Sequence, residues 1–204
     1  MDGYGVERLG DLWWLLAHDE RGRTRVGQRH FATGLAAAVL GEALTQSSAR
    51  VLESGDLVAD AAIALVLGEL TGAAREGLAR PPRVWVEWLA EKEHERLAPA
   101  VAARMVARGL LVRQGRQLVP VDAFTAFAPV SALVSAVGAH HPVSDPVRVL
   151  AGIAVSCGLA PLASTSGEDM VWPLQRLSQD LPRPLYALVI ATDDAIHAVA
   201  TRRR

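Results

Sequence analysis

Leu12-Trp13-Trp14-Leu15-Leu16-Ala17-His18-Asp19 begins the stretch that decides the fold. It runs on through Glu20-Arg21-Gly22, then Arg23-Thr24-Arg25-Val26-Gly27-Gln28-Arg29-His30, and closes with Gly34-Leu35-Ala36-Ala37-Ala38-Val39-Leu40-Gly41-Glu42. The apolar start predicts a short helix over Leu9–Ala17 that ends at His18-Asp19. A charged turn with a glycine follows. The last part predicts a second helix over Gln28–Leu44, with Gly34, Ala38 and Gly41 along one stripe that lets another helix approach closely. Neighbours on a helix point about 100° apart, so Trp13 and Trp14 are not expected to face the core together. One is expected at the surface or under a loop.

Composition narrows the class. The chain has 204 residues, half of them hydrophobic, which suits one domain over 1–204 with a real core. The net charge of −1 gives no bulk basicity for nucleic acid or an anionic membrane, so any such contact must come from a local patch. Lys92 is the only lysine and Arg dominates, as in a chain encoded by GC-rich DNA. Cys157 is the only cysteine, which excludes an intramolecular disulfide. It lies in an apolar run and reads as a buried small hydrophobe. The N-terminus lacks the basic and apolar regions of a signal peptide. The longest apolar runs carry Glu42 and Asp60 and fall short of the ~20 residues a membrane span needs. The expectation is a soluble, cytoplasmic protein, peripheral at most to the inner face of the membrane.

Helical periodicity continues along the chain. A short strand is predicted over Arg50–Glu53, then a helix from Leu57 to Leu70 capped by Asp56. Weaker helical character runs through Gly72–Arg80, and Pro81-Pro82 breaks it. Arg83–Glu91 follows, with Trp85, Trp88 and Leu89 on one face. Leu97–Arg108 places Val101, Met105 and Val106 inward and stops at Gly109. Leu110–Pro120 is the one clear β-hairpin, two β-prone runs about a polar Gly turn. Four helices close the chain: Phe124–Val137, Asp145–Ser156, Glu168–Leu181 and Leu185–Thr201. Ser144 or Asp145 before Pro146 marks a start, and Ser166 with Asp169 resembles a capping box. The fold class is mostly α with this hairpin.

No strong catalytic motif is present. Phosphate-binding loops, a nucleophile elbow and a zinc-protease helix are all missing from the sequence. His140-His141 are adjacent, so they do not share a helix face, and they read as a loop pair before Pro142. Asp193 and His197 stand at i, i+4 and read as a surface pair. Cys157 has no base nearby in sequence. No catalytic residue, metal or cofactor is expected. The tail Arg202-Arg203-Arg204 reads as a frayed end.

One rival pattern is the helix ending Arg108-Gly109 followed by strands with Arg113 and Arg116 at the tip. It looks like the wing of a winged-helix DNA-binding regulator, whose arginines would contact phosphates. Against it, Ala98–Met105 offers mainly Ala, Val, Pro and Arg104 where a recognition helix needs polar groups. Burial of Arg104 and Arg108 would weigh against it further.

Another set of residues resembles the Golgi phosphoprotein 3 family. It comprises Leu15-Leu16-Ala17-His18-Asp19-Glu20-Arg21-Gly22, Gly34-Leu35 with Leu40-Gly41-Glu42, and Gly55-Asp56-Leu57 with Asp60-Ala61-Ala62. It also comprises Pro81-Pro82 with Trp88, Val106–Leu111, Val119-Pro120-Val121-Asp122, and Asp145-Pro146 with Arg148–Ala151. The order holds over nearly the whole chain, and the composition points to a bacterial member of high GC content. The resemblance implies a helical core ringed by amphipathic helices, a protruding hairpin and no catalysis. Eukaryotic members bind phosphatidylinositol 4-phosphate on Golgi membranes, bind glycosyltransferase tails, and self-associate through the hairpin.

The resemblance also locates the family's headgroup pocket. A tryptophan before the second helix and an arginine within it correspond to Gly27 and Ala36. Two further arginines correspond to Glu95 and Ala98, with Arg96 between them. The family's pocket is therefore not written here. The remaining expectation is a shifted cationic patch of Arg23, Arg25, Arg29 and Arg96 for an anionic phospholipid headgroup. The hairpin tip, Arg113, Gln114, Gly115 and Arg116, is a second candidate surface, for membrane contact or for self-association as a structural oligomer.

Overall fold

A computed structural model of the chain describes residues 8–59, 79–164 and 167–202. Among them are eight α-helices, so the mostly α reading holds. They are α1 (Leu9–Ala17), α2 (Gln28–Thr45), α3 (Pro82–Lys92), α4 (His94–Ala107), α5 (Ala123–Val137), α6 (Asp145–Ser156), α7 (Val171–Gln179) and α8 (Arg183–Arg202). A 3-10 turn covers Ala160–Ala163. Strand β1 (Arg50–Val51) pairs antiparallel with β2 (Leu57–Val58), and β3 (Leu111–Gln114) with β4 (Gln117–Pro120). In the second pair Gln114 faces Gln117, and Gly115 turns the chain at φ +61°.

Helices α1 and α2 form the hub. Helix α1 packs against α2, α4, α5 and α6, and all nine of its residues are buried. A helix enclosed on every side has no surface face. Trp13 and Trp14 are therefore both in the core, at 0% and 9% exposure, which corrects the expectation that one lies outside. Trp13 Nε1 donates to the Phe31 carbonyl at 3.1 Å. The small-residue stripe of α2 receives α1, as its spacing suggests. A Cβ at Gly34 would overlap the Trp13 ring, and one at Gly41 would stand 2.8 Å from Leu9 Cδ2.

Two carboxylates sit inside this hub. Asp11 is 0% exposed and Glu42 is 6% exposed. Arg104 from α4 bridges them, at 2.6 Å to Asp11 and 3.2 Å to Glu42. Arg108 also pairs with Asp11, and Arg8 lies 3.6 Å from Glu42. Glu42 Oε2 accepts from the Gly10 amide at 3.3 Å. A buried carboxylate must be paired and hydrogen-bonded to be tolerated, so this network fixes α4 against the α1–α2 pair.

Three local expectations change. Leu57 and Val58 are strand, not the start of a helix. Gly55 at φ +90° doubles the chain back, and the Asp56 carboxylate accepts from the Ser54 hydroxyl instead of capping. Leu57 also exchanges backbone hydrogen bonds with Arg80 at 2.7 and 3.1 Å. The expected helical residues 60–70 and 72–78, with Asp60-Ala61-Ala62, lie outside the described residues, as do Ser166 and Arg203-Arg204. Helix α7 starts at Val171 rather than Glu168, because Asp169 Oδ1 takes the Val171 amide at 2.9 Å. On α4 the inward positions are Leu97, Val101 and Met105, one turn apart, which leaves Val106 43% exposed.

Candidate functional site

The turn between α1 and α2 is built on Asp19. Its carboxylate accepts the Arg23 amide at 2.8 Å, the Arg21 amide at 3.0 Å and Arg23 Nε at 2.8 Å. Those bonds, the Arg23 amide foremost, hold its carboxyl below the ordinary value. Gly22 has φ +74° and lies against β4, where a Cβ would collide with the Leu118 carbonyl. The turn and the hairpin, separate in sequence, are thus in contact. His18 closes the base of the turn. Its Nδ1 lies 2.8 Å from the Trp14 carbonyl, its ring stacks on Trp14 at 4.6 Å and meets Phe31 edge-on at 5.1 Å. Burial lowers its pKa.

Each arginine expected in the cationic patch has a partner within the chain. Arg23 pairs with Asp19 at 2.8 Å while its side chain stays 63% exposed. Arg25 Nε donates to the His18 carbonyl at 2.9 Å, and its amide to the Ala17 carbonyl at 2.8 Å. Arg29 Nη2 donates to the Ala195 carbonyl of α8 at 2.9 Å. Arg96 Nη1 lies 3.4 Å from Glu93 Oε2, with its side chain 42% exposed. Gln28 Nε2 and His94 Nε2, 3.4 Å apart, bring the start of α2 beside the start of α4. That contact places Gly27 near the α4 end that carries Arg96. The four positions expected to correspond to the family's headgroup pocket hold neither an aromatic ring nor a cation: they are Gly27, Ala36, Glu95 and Ala98, of which Ala36 is fully buried.

Arg113, Gln114, Gly115 and Arg116 are all exposed. The winged-helix pattern fares differently. Arg104 and Arg108 point inward to Asp11, with side chains 18% and 30% exposed, so they are spent on an internal carboxylate.

The remaining candidates fit simpler roles. His140 and His141 lie in the loop before α6, and His141 Nδ1 lies 3.2 Å from the Pro142 carbonyl. His197 and Asp193 form an exposed pair at 3.4 Å. Cys157 is buried, its thiol donates to the His30 carbonyl at 3.5 Å, and burial pushes its pKa upward. Among the described residues no group of three or more His, Cys, Asp or Glu side chains could hold a metal ion. Among them also, no helix is long and apolar enough to cross a membrane.

A groove of about 370 Å³ opens between α5 and α7. Its wall carries Trp172 and Arg176 from α7, Arg148 from α6, His141 from the preceding loop, and Asp180. The only hint in sequence was Trp172 beside Pro173, four residues before Arg176. Nothing local indicated that Arg148 would join them.

The chain matches the family model described as Golgi phosphoprotein 3 (GPP34) over residues 9–184, which takes in α1 through the start of α8. No curated protein matches the chain.

Proposed function

The chain belongs to the Golgi phosphoprotein 3 family, and from that premise we propose that it works without catalysis, as a peripheral protein or adaptor at an anionic membrane surface. The family match carries this reading, since it covers the hub, the α1–α2 turn and the hairpin together. The contact surface is the α1–α2 turn with its neighbours. Arg23 and Arg96 keep part of their side chains exposed, at 63% and 42%, beside their pairs with Asp19 and Glu93. Gly22 packs the turn against β4 of the hairpin. Each cation near an anionic surface contributes about 1 kcal/mol. A few such contacts give weak, salt-sensitive binding, selected by charge and not by headgroup shape.

Flotation of the protein with phosphatidylglycerol vesicles and with phosphatidylcholine vesicles tests this reading. Binding to the first alone, weakened by added salt and by the pair Arg23→Ala with Arg96→Ala, is the expected result. Arg25 and Arg29 are unsuitable probes because each holds a backbone carbonyl. Absence of binding at low salt would refute membrane docking. The exposed hairpin tip supports a second reading, self-association through Arg113–Arg116. Analytical ultracentrifugation of a variant with these four residues replaced by Asn-Gly tests it, and an unchanged mass rejects it.

A further inference from the structure

The groove between α5 and α7 shares no residue with the α1–α2 turn or the hairpin, and its chemistry is more selective than surface charge. Arg176 lies over the Trp172 ring, 5.7 Å from its centroid. Among the described residues no hydrogen bond or ion pair engages its guanidinium. Stacking occupies the face of a guanidinium and leaves the planar N–H edge to donate. Arg148 is fixed differently. Both of its contacts, 3.0 Å to the Asp180 carbonyl and 3.8 Å to Asp145, use Nη1, so Nε and Nη2 are not spent on them. The proximity of His141 Nδ1 to the Pro142 carbonyl directs Nε2 of that ring elsewhere. Among the described residues of the lining Asp180 is the one carboxylate, against two arginines and a histidine.

We propose that this groove binds the phosphate group of an organic phosphate ester. Two guanidinium groups from different helices suit an anion with several oxygens, which each can approach through paired N–H donors. The organic part of the ester lies along Trp172 and Val137, which are 65% and 36% exposed and give the groove an apolar shoulder. The groove, at about 370 Å³, falls within the size of small-molecule sites, about 300–1,000 Å³. A soluble ester and a lipid headgroup present the same chemistry to these residues, and experiment separates them.

Isothermal titration of the full chain with glycerol phosphate and inorganic phosphate is run beside flotation with phosphatidylglycerol vesicles, for the wild type, Arg176→Ala, Arg148→Ala and Trp172→Ala. Arg176 is exposed and makes no hydrogen bond among the described residues, so its variant is expected to fold even if that of Arg148 does not. Glycerol phosphate binding that exceeds inorganic phosphate, drops about tenfold or more in Arg176→Ala, and weakens in Trp172→Ala supports a soluble ester. Vesicle binding lost in Arg176→Ala, with no response to glycerol phosphate, supports a lipid headgroup. No binding of any probe, or affinity unchanged in Arg176→Ala, overturns the inference. Vesicle binding that depends on Arg23 and Arg96 but not on Arg176 overturns it while leaving the docking reading intact.

Discussion

Replacing Gly34 with alanine tests why the hub of this fold exists. In a helix interior that change ordinarily stabilises by about 1 kcal/mol. Here the new methyl would overlap the Trp13 ring, lying 2.5 Å from Cε2 and 2.7 Å from Cη2. Restoring a carbon–carbon contact of about 3.5 Å requires the ring to retreat by roughly 1 Å. The ring has nowhere to go, since Trp13 is 0% exposed and its Nε1 is tied to the Phe31 carbonyl. Overpacking costs about 1–3 kcal/mol, and loss of the indole hydrogen bond adds about 1 kcal/mol. Against the propensity gain, the net loss is about 1–3 kcal/mol. Urea unfolding midpoints measure it, and near-UV circular dichroism reports the displaced indole. Trp13→Leu in the same chain should relieve the clash, so the double variant is more stable than the sum of the two losses by about 1–3 kcal/mol. A Gly34→Ala protein as stable as the wild type, or more so, would refute the claim that the small-residue stripe exists to seat α1.

Asp11→Asn should destabilise by about 3 kcal/mol, because it leaves Arg104 and Arg108 beside a neutral amide in a largely buried network; a change under about 0.5 kcal/mol in chemical denaturation would show the network is incidental. Gly22→Ala should loosen the contact between the α1–α2 turn and β4, since its methyl meets backbone and its φ of +74° disfavours a side chain; faster amide exchange at Leu118 and Val119 checks this, and unchanged exchange counts against it. Stability should fall on mild acidification. His18 has its folded pKa below 6.5, so its contribution is complete above 6.5 and is lost as pH falls through 6.5 toward the folded value. His18→Phe should flatten that part of the pH profile, and an unchanged slope would exclude His18 as its source. Asp19, with its folded pKa below 3.8, adds a further loss only in stronger acid.

Much of the scaffold was legible because its signals are local. The bounds of α1 and α6 follow from apolar period, with Pro146 marking the start of α6, and the hairpin from β-prone runs about Gly115. The stripe Gly34, Ala38, Gly41 predicts a close helix contact and receives Trp13 and Leu9. The errors are equally physical. Leu57-Val58 looks helical by period, yet the turn at Gly55 and pairing to Arg50-Val51 and Arg80 make it strand. Tertiary pairing overrides a weak propensity over so short a run. The acidic residues inside apolar helices, Asp11 and Glu42, were the legible trace of the ion network. Their partner Arg104 lies too far along the chain for any spacing rule to connect them.

The candidate site separates the two levels most sharply. Sequence alone determined that the chain is mostly helical and which family it resembles. It also supplied the list of arginines. Only the tertiary structure decided what those arginines do: Arg25 and Arg29 hold carbonyls, Arg104 and Arg108 neutralise Asp11, and Arg148 and Arg176 meet across a groove. The reason is range. Helix period and caps act over a few residues, whereas Arg29 finds its partner 166 residues away in α8, and a guanidinium's role is set by the partner it reaches.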